Sequence, residues 1–137
     1  IQPPVDYHVM RVALRLGLVS IDDPCLNEKL RQRRPVSAEE DATIRQRIQS
    51  ALHRLITKHR VDLFNLDSAL WMVGRNCCLK DSPVCQYEQC TRAGICTLVD
   101  ALNYTCKLRC PFADYCSGAM DDEFRSLTET NFSSIYY

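Results

Sequence analysis

The sequence has no long hydrophobic run, and no apolar stretch approaches the roughly 20 residues that a helix needs to cross a bilayer. It also has no segment with the sustained apolar–polar alternation that indicates a β-strand. Its formal net charge is zero, so the overall charge gives no reason to expect nucleic acid as a partner. We therefore expect an all-α fold without a membrane partner.

The composition is not that of a disordered chain. Hydrophobic residues make up 46% and charged residues 25% of the 137 positions, which predicts a folded, soluble domain with its own core. The charge is uneven, since residues 1–80 carry thirteen Lys and Arg against nine Asp and Glu, while residues 81–137 carry four against eight. The basic excess of the first part mildly favours an anionic partner.

Cysteine is abundant and clustered. Eight of the nine cysteines lie between Cys77 and Cys116. Thiols crowded this closely are disulfides, metal ligands or reactive groups, because free thiols seldom cluster for packing alone. The odd count and uneven spacing favour a bound metal in a reducing intracellular compartment (cytoplasm, nucleoid or nucleus). A secreted disulfide protein is the alternative, and the glycosylation triplets at Asn103 and Asn131 would suit it.

Aspartate caps mark two helix starts. Asp6 precedes an apolar face of helical period and predicts a helix over residues 7–18. Asp23, followed by Pro24 at the first helical position, predicts a second helix over residues 24–34.

Two more helices precede the cysteines. Residues 37–40 form a capping box and open a long helix that ends at residue 57 or 59. A fourth helix fits residues 66–77, where apolar residues recur at helical spacing. The chain is therefore predicted to be all-α up to Cys78 and loop-rich beyond it.

The last third of the chain carries weaker signals. Residues 97–104 fit a short helix between groups of cysteines. From Asp121 the sequence is acidic, then rich in Ser, Thr and Tyr, without periodicity. Residues 121–137 are therefore expected to form a loosely held tail, with one helical turn near Phe124.

Two motifs occur in order on this helical background. They are residues 4–12, Pro-Val-Asp-Tyr-His-Val-Met-Arg-Val, and residues 70–78, Leu-Trp-Met-Val-Gly-Arg-Asn-Cys-Cys. The first resembles the Val-Asp-x-His-Val-x-Arg-Val motif of endonuclease III-type helix-hairpin-helix DNA glycosylases. The second resembles the entry into the iron–sulfur loop of that family. The resemblance is close over about residues 4–20 and 67–85.

The resemblance implies a fold and its limits. Residues 1–77 would be the helical C-terminal portion of a helix-hairpin-helix glycosylase domain, and residues 78–120 an iron–sulfur loop with an insertion. The hairpin of this family and the lysine nucleophile of its lyase members precede the aspartate, so we expect the sequence to be a fragment of a longer protein. Tyr7 stands where the family has threonine or another small residue, which implies an altered pocket beside Asp6.

The resemblance also implies an activity. The protein would be a base-excision repair enzyme, a monomer that flips a damaged or mismatched base out of double-stranded DNA and cleaves its N-glycosidic bond. Whether an abasic-site lyase step follows is left open. Asp6 would be the catalytic carboxylate, stabilising cationic character at the anomeric carbon or orienting a nucleophile. From the residues alone, Asp6 is simply an N-cap that contributes about 1 kcal/mol.

The family holds its cluster with the spacing Cys-x6-Cys-x2-Cys-x5-Cys. Cys78 and Cys85 supply the x6 pair directly after the Gly-Arg of the second motif, which leaves Cys77 as an extra neighbour. Four thiolates suit a [4Fe-4S] cluster, and tetrahedral zinc would accept the same ligands.

Two x5 pairs compete for the remaining ligand positions. Cys90 and Cys96 are nearer in the sequence. The residues around Cys110 and Cys116 resemble the closing segment of the family, but this pair requires an insertion of about twenty residues. A third variant replaces the second ligand by Cys106. The preferred set is Cys78, Cys85, Cys110 and Cys116.

Basic residues near these motifs are candidate DNA contacts. Lys80 lies in the loop where the family places basic residues against the DNA backbone, and Arg11 and Arg75 are the other candidates. Lys80 could equally be an ordinary exposed lysine, and Arg11 could tie its helix to a neighbour, while His8 is expected to have a structural role. The alternative function is a non-catalytic, cysteine-rich metal-binding module that contacts nucleic acid or protein.

Overall fold

The computed structural model describes residues 1–87, 89–91, 96 and 105–132. Four longer helices lead the described chain: α1 (Tyr7–Leu16), α2 (Pro24–Arg31), α3 (Ala38–His59) and α4 (Leu63–Asn76). These residues contain no β-strand, only an isolated bridge between Pro35 and Asn131, so the all-α prediction is confirmed. No helix of the described part is long and apolar enough to cross a membrane. The helix predicted over residues 97–104 lies outside the described residues.

The helix boundaries differ from the predicted ones for local reasons. α1 ends at Leu16 because Gly17 adopts a left-handed φ of 78° and caps the helix. α2 ends three residues early, and the chain then turns through Arg33 at a φ of 56°. α4 begins three residues early, at Leu63, because the Asp62 side chain caps it. The capping box of α3 forms as predicted, and α3 ends at the later of its two predicted residues.

α1 is the central helix. Seven of its ten residues, Val9 to Arg15, are buried. α4 and α3 contact it, as do two one-turn helices, Ser117–Met120 and Asp122–Arg125. A helix buried on most of its sides needs neighbours around it, and the chain beyond the cysteines supplies part of them.

α1 and α4 approach each other closely at Gly74. A Cβ atom at this position would lie 2.8 Å from the Cβ atom of His8 and 3.0 Å from the His8 carbonyl oxygen. The contacts then advance along both helices in the same direction, because Arg11 binds the Gly74 carbonyl and Arg15 binds the chain just after α4. The start of α1 therefore lies beside α4, and its second half lies beside the cysteines.

Arg11 is buried in the structure, with 4% of its surface exposed. Its guanidinium donates to the carbonyl oxygens of Cys78 at 2.7 Å and Gly74 at 2.9 Å, and to the carboxylate of Glu129 at 2.8 Å. It also lies 3.0 Å from a ring nitrogen of His8. The predicted phosphate contact of Arg11 is therefore wrong, because the guanidinium is enclosed and bonded within the protein. The alternative, that Arg11 ties its helix to its neighbours, is confirmed.

Arg15 lies one helical turn after Arg11 and is equally buried, at 3% exposed. It donates to the carbonyl oxygens of Leu79 at 2.7 Å, Lys80 at 2.9 Å and Leu127 at 2.8 Å. The loop after α4 thus has its backbone fixed by a side chain of α1. Arg15 was not among the residues predicted to have a role.

The segment after the two one-turn helices is firmly packed. Leu127 is 4% exposed and Thr128 is 1% exposed, and the Thr128 hydroxyl donates to the carbonyl oxygen of Leu30 at 3.0 Å. The turn predicted near Phe124 is present, but the prediction of a loosely held tail is wrong for residues 124–131. Residues 124–131, called the strap below, lack periodicity because they pack irregularly and are held by separate hydrogen bonds and by one buried leucine.

Replacing Gly74 by alanine tests the close approach of α1 and α4. Alanine is favoured over glycine in helices by about 1 kcal/mol, but the new methyl group would overlap the backbone and Cβ of His8, and such overpacking costs about 1–3 kcal/mol. We expect Gly74→Ala to lower the free energy of unfolding, measured by urea denaturation. The matched control is Ser68→Ala on the exposed side of α4, and an equal effect of both changes would contradict the close-packing argument.

Replacing Glu129 by glutamine tests the ion pair with Arg11. Burial raises the pKa of Glu129, but the hydrogen bond and charge of Arg11, with the charge of Lys80, outweigh it and bring the pKa below its ordinary value of 4.5. This stabilisation is complete above that value and is lost as the pH falls through the lower pKa of the folded protein. We expect Glu129→Gln to lower the free energy of unfolding by about 3 kcal/mol at pH 7.

The difference between wild type and Glu129→Gln should shrink as the pH falls below about 4.5. Glu28→Gln is the control, because its ion pair with Arg34 is long, 3.6 Å, and more than half exposed on both sides. Such pairs contribute little. A difference that did not change with pH would show that the Glu129 carboxylate is not stabilised by Arg11.

Candidate metal centre and the carboxylate beside α1

Five thiols line one cavity beside the second half of α1. Its apolar wall includes Val12, Val73 and Phe112. The thiols are those of the four preferred ligands and of Cys77: Cys77, Cys78, Cys85, Cys110 and Cys116. All nine cysteines lie in the described part of the chain, and none of them forms a disulfide.

The first cysteines reach the cavity through the end of α4 and its loop. Cys77 is the C-cap of α4, and its carbonyl oxygen accepts a hydrogen bond from Val84 N at 2.8 Å, which folds the loop back. Val84 is buried and begins the 3-10 turn Val84–Gln86. That turn places Cys85 at the cavity, which Arg15 also lines.

The last two cysteines reach it through a turn. Ala113 N donates to the Cys110 carbonyl oxygen at 3.1 Å, and Cys116 N donates to the Phe112 carbonyl oxygen at 2.9 Å. Gly118 then packs against α1, where a Cβ atom would lie 3.1 Å from the Arg15 carbonyl oxygen. The lack of a side chain at this glycine lets the turn lie flat on the helix.

Several N–H groups are directed at the cysteine sulfurs. Arg15 Nη1 lies 3.6 Å from Cys78 Sγ. After the hydrogen bond from Cys77, the backbone N–H groups of Phe112 and Ala113 help to lower the pKa of Cys110. Burial raises the pKa of Cys116 in spite of the nearby N–H groups of residues 118 and 119, and its thiol donates to the carbonyl oxygen of Arg15 at 3.3 Å. Donors of this kind stabilise thiolates, and they are a common surrounding of iron–sulfur ligands.

Cys77 and Cys110 form a hydrogen-bonded pair. The bond from the Cys77 thiol, with the backbone N–H groups, outweighs burial and lowers the pKa of Cys110 to about 7. The same bond, together with burial, raises the pKa of Cys77. Cys110 is therefore the thiol of this pair whose ionised form is favoured.

The rival cysteines do not line this cavity. Cys90 and Cys96 are partly buried and pack at the edge of the core, and Cys90 N donates to the carbonyl oxygen of Leu108 at 2.6 Å. The cavity wall formed by the described residues includes neither of these cysteines, nor Cys106. Cys90 and Cys96 nevertheless lie close enough to Cys77 for their charges to raise its pKa. The structure thus places all four cysteines of the preferred set at one cavity, with Cys90 and Cys96 nearby.

A single metal ion and a cluster require different spacings of the donor thiols. Within the described ranges, no three His, Cys, Asp or Glu side chains are grouped closely enough to hold one metal ion. Tetrahedral zinc needs four ligands within about 2.3 Å of one point, whereas each thiolate of a cubane cluster binds a different iron, so its ligands stand farther apart. The enclosed space is only about 20 Å³, so the two cysteine-bearing segments would have to separate to admit a cluster.

Asp6 lies at the opposite end of α1. Its Oδ1 atom accepts a hydrogen bond from Val9 N at 2.8 Å, so the predicted N-cap is confirmed, and the side chain is partly exposed. A second carboxyl group, that of Asp67 on α4, lies near it: burial raises the pKa of Asp67, and the charge of Asp6 raises it further. Asp67 was not among the predicted site residues, although it lies seven residues before Gly74, two helical turns along the same face.

Aromatic rings cover the surface beside Asp6. The Tyr7 and His8 rings lie 4.1 Å apart, and the Trp71 ring meets His8 edge-on at 5.5 Å. The Arg75 guanidinium lies 5.2 Å from the Trp71 ring centre. Burial and the charge of Arg11 lower the pKa of His8, which favours the neutral ring. The structural role expected for His8 is thus confirmed by its contacts with Arg11 and Trp71.

The remaining candidate DNA contacts are at the surface. The side chain of Lys80 is 41% exposed and lies 3.6 Å from the Glu129 carboxylate. Arg75 is exposed on α4, above Trp71. Both cations could meet a phosphate group, although Lys80 would have to share its charge with Glu129.

Comparison of the chain with protein families, with curated proteins and with solved structures finds no match. The function is therefore inferred from the residues and the geometry described above.

Proposed function

We propose that the protein is a DNA N-glycosylase of the endonuclease III type, with an iron–sulfur loop. One observation carries the proposal. α1 presents the Asp6 carboxylate at its first turn, and the cavity with all four preferred cysteine ligands lies against its second half. Those cysteines come from separate segments of the chain, yet they meet beside the helix that carries the catalytic motif.

Asp6 would act on the sugar of the extruded nucleotide. Its cap bond fixes the carboxylate, and the positive end of the helix dipole favours its charged form. Asp67 lies near this carboxylate, and burial together with the charge of Asp6 raises the pKa of Asp67. A charged carboxylate beside an extruded nucleotide would stabilise the cationic anomeric carbon as the base leaves. The exposed ring of Tyr7 would stack on that nucleotide.

The thiol cavity would hold the cofactor, a [4Fe-4S] cluster. Bound there, the cluster would supply a rigid, charge-bearing crosslink between the end of α4 and the turn at Cys110–Cys116. Arg15 fixes the backbone of the same loop, including the carbonyl oxygen of Lys80. This would hold the backbone of Lys80 against α1, so that its side chain could contact the backbone of double-stranded DNA.

A second candidate function rests on the cap itself. Asp23 and Asp62 cap α2 and α4 with the same kind of hydrogen bond that Asp6 makes in α1. If capping is the whole role of Asp6, the protein is a non-catalytic, cysteine-rich metal-binding module that contacts nucleic acid or protein.

Replacing Asp6 by asparagine separates these functions. Asparagine caps helices about as well as aspartate, so the fold should persist, but it lacks the charge. We expect base release from a panel of lesion duplexes to fall roughly 100-fold or more in Asp6→Asn of the full-length protein. The matched control is Asp23→Asn, which changes a cap far from the proposed site and should release bases at the wild-type rate. Equal activities of the two variants would support the non-catalytic module.

The metal content tests the ligand set. We expect the anaerobically purified full-length protein to contain iron and to absorb visible light, and Cys110→Ser to lose both properties. Cys90→Ser should keep both, and Cys25→Ser, an exposed cysteine on α2, is the control for a harmless substitution. Iron retained by Cys110→Ser and lost by Cys90→Ser would show that the contiguous cysteine set holds the metal. Zinc in place of iron would show that the cofactor is a zinc ion and not an iron–sulfur cluster.

A further inference from the structure

The cavity holds one more thiol than a four-thiolate centre uses. Cys77 is 5% exposed, and its thiol is hydrogen-bonded to that of Cys110, which is 8% exposed. The adjacent Cys78 directs its sulfur to Arg15 instead, at 3.6 Å. The neighbouring cysteines 77 and 78 therefore face different groups, and the partner of Cys77 is a cysteine from a distant part of the chain.

The backbone holds both members of this pair in place. Cys77 N donates to the Val73 carbonyl oxygen at 2.8 Å, and the Cys77 carbonyl oxygen accepts from Val84 N at 2.8 Å. The Cys110 carbonyl oxygen accepts from Ala113 N at 3.1 Å. Both sulfur atoms line the same small cavity and are in hydrogen-bond contact, and an S–S bond requires this kind of proximity.

We propose that Cys77 and Cys110 form a reversible disulfide when the metal-free protein meets a peroxide, and that this bond spares Cys110 from irreversible oxidation. One thiolate attacks a peroxide oxygen, which gives a sulfenic acid and releases hydroxide. The other sulfur then displaces hydroxide from the sulfenic acid and forms the S–S bond. Two thiols and one hydrogen peroxide thus give one disulfide and two waters.

The cavity that contains the buried pair is also lined by three partly exposed thiols, beside which peroxide would enter. A sulfenic acid without a nearby thiol is oxidised further to sulfinic and sulfonic acids, which thiol reductants do not reverse. Cys77 would prevent this by acting as the resolving thiol. Its effect on cofactor loading rests on the proposed function, because Cys110 in a disulfide cannot serve as a ligand.

The bond can be mapped in the full-length protein. The metal-free, reduced protein is treated with hydrogen peroxide, alkylated and digested with trypsin, which places Cys77 in a peptide of residues 76–80 and Cys110 in a peptide of residues 110–125. Fragmentation spectra distinguish these cysteines from Cys78 and Cys116 in the same peptides. We expect a Cys77–Cys110 link as the main product, reversed by dithiothreitol. A main product of Cys77–Cys78 or Cys110–Cys116 would overturn the proposal.

Variants test the protective role. In Cys77→Ser and Cys77→Ala the same peroxide dose should raise the sulfinic and sulfonic forms of Cys110 several-fold, whereas Cys25→Ser should behave as wild type. Unchanged oxidation of Cys110 in both Cys77 variants would overturn the proposal.

Iron loading separates this proposal from the previous one. Oxidised wild type should regain iron binding after reduction, oxidised Cys77→Ser should not, and unoxidised Cys77→Ser should load normally. Failure of the unoxidised variant to load would make Cys77 a ligand and overturn its role as a resolving thiol. A Cys77–Cys110 link in a protein that never binds iron would support the disulfide proposal and contradict the proposed cluster.

Discussion

The structure depends on two buried arginines of α1. A guanidinium group is costly to bury unless its N–H groups are bonded, and Arg11 and Arg15 meet this condition with acceptors from parts of the chain that are distant in sequence. Those acceptors lie at the end of α4, in the loop after it and in the strap near residue 128. If one of these acceptors moved away, a buried guanidinium group would lose a hydrogen bond, which is energetically unfavourable. The two side chains therefore fix the loop-rich half of the protein onto the helical half.

Glycines allow the distances on which these bonds depend. At Gly17, Gly74 and Gly118, a Cβ atom would lie between 2.7 and 3.1 Å from an atom of another element, and each contact involves α1 or its cap. Gly74 lets α4 come near enough for its carbonyl oxygen to meet Arg11, and Gly118 lets the cysteine turn lie against Arg15. The glycines thus allow the elements around α1 to approach it closely, and the buried hydrogen bonds of the two arginines depend on this approach.

The features that could be predicted from the sequence are those that depend on neighbouring residues, such as helix caps. Asp6, Asp23 and Ser37 cap their helices because capping depends on residues within one turn. The buried state of Arg11 was not predictable in this way, since its acceptors include Glu129, at the far end of the chain. The packed strap was missed for the same reason: a segment held by single long-range bonds has no period to detect. The spacing of the cysteines left two ligand sets open, because spacing does not tell which segments the fold brings together.

The length of α1 limits how its two ends can cooperate. A helix of ten residues is about 15 Å long, so a centre beside its second half would lie too far from Asp6 to touch a nucleotide bound there. In the proposed glycosylase, such a centre would therefore influence Asp6 only through the position of α1. That position is firmly held, because α1 is buried along most of its length and bonded through Arg11 and Arg15 to the loop that carries the thiols. On the proposed function, a metal in the cavity would fix where α1 lies against DNA, and its loss would weaken DNA binding before it changed the proposed bond-breaking step.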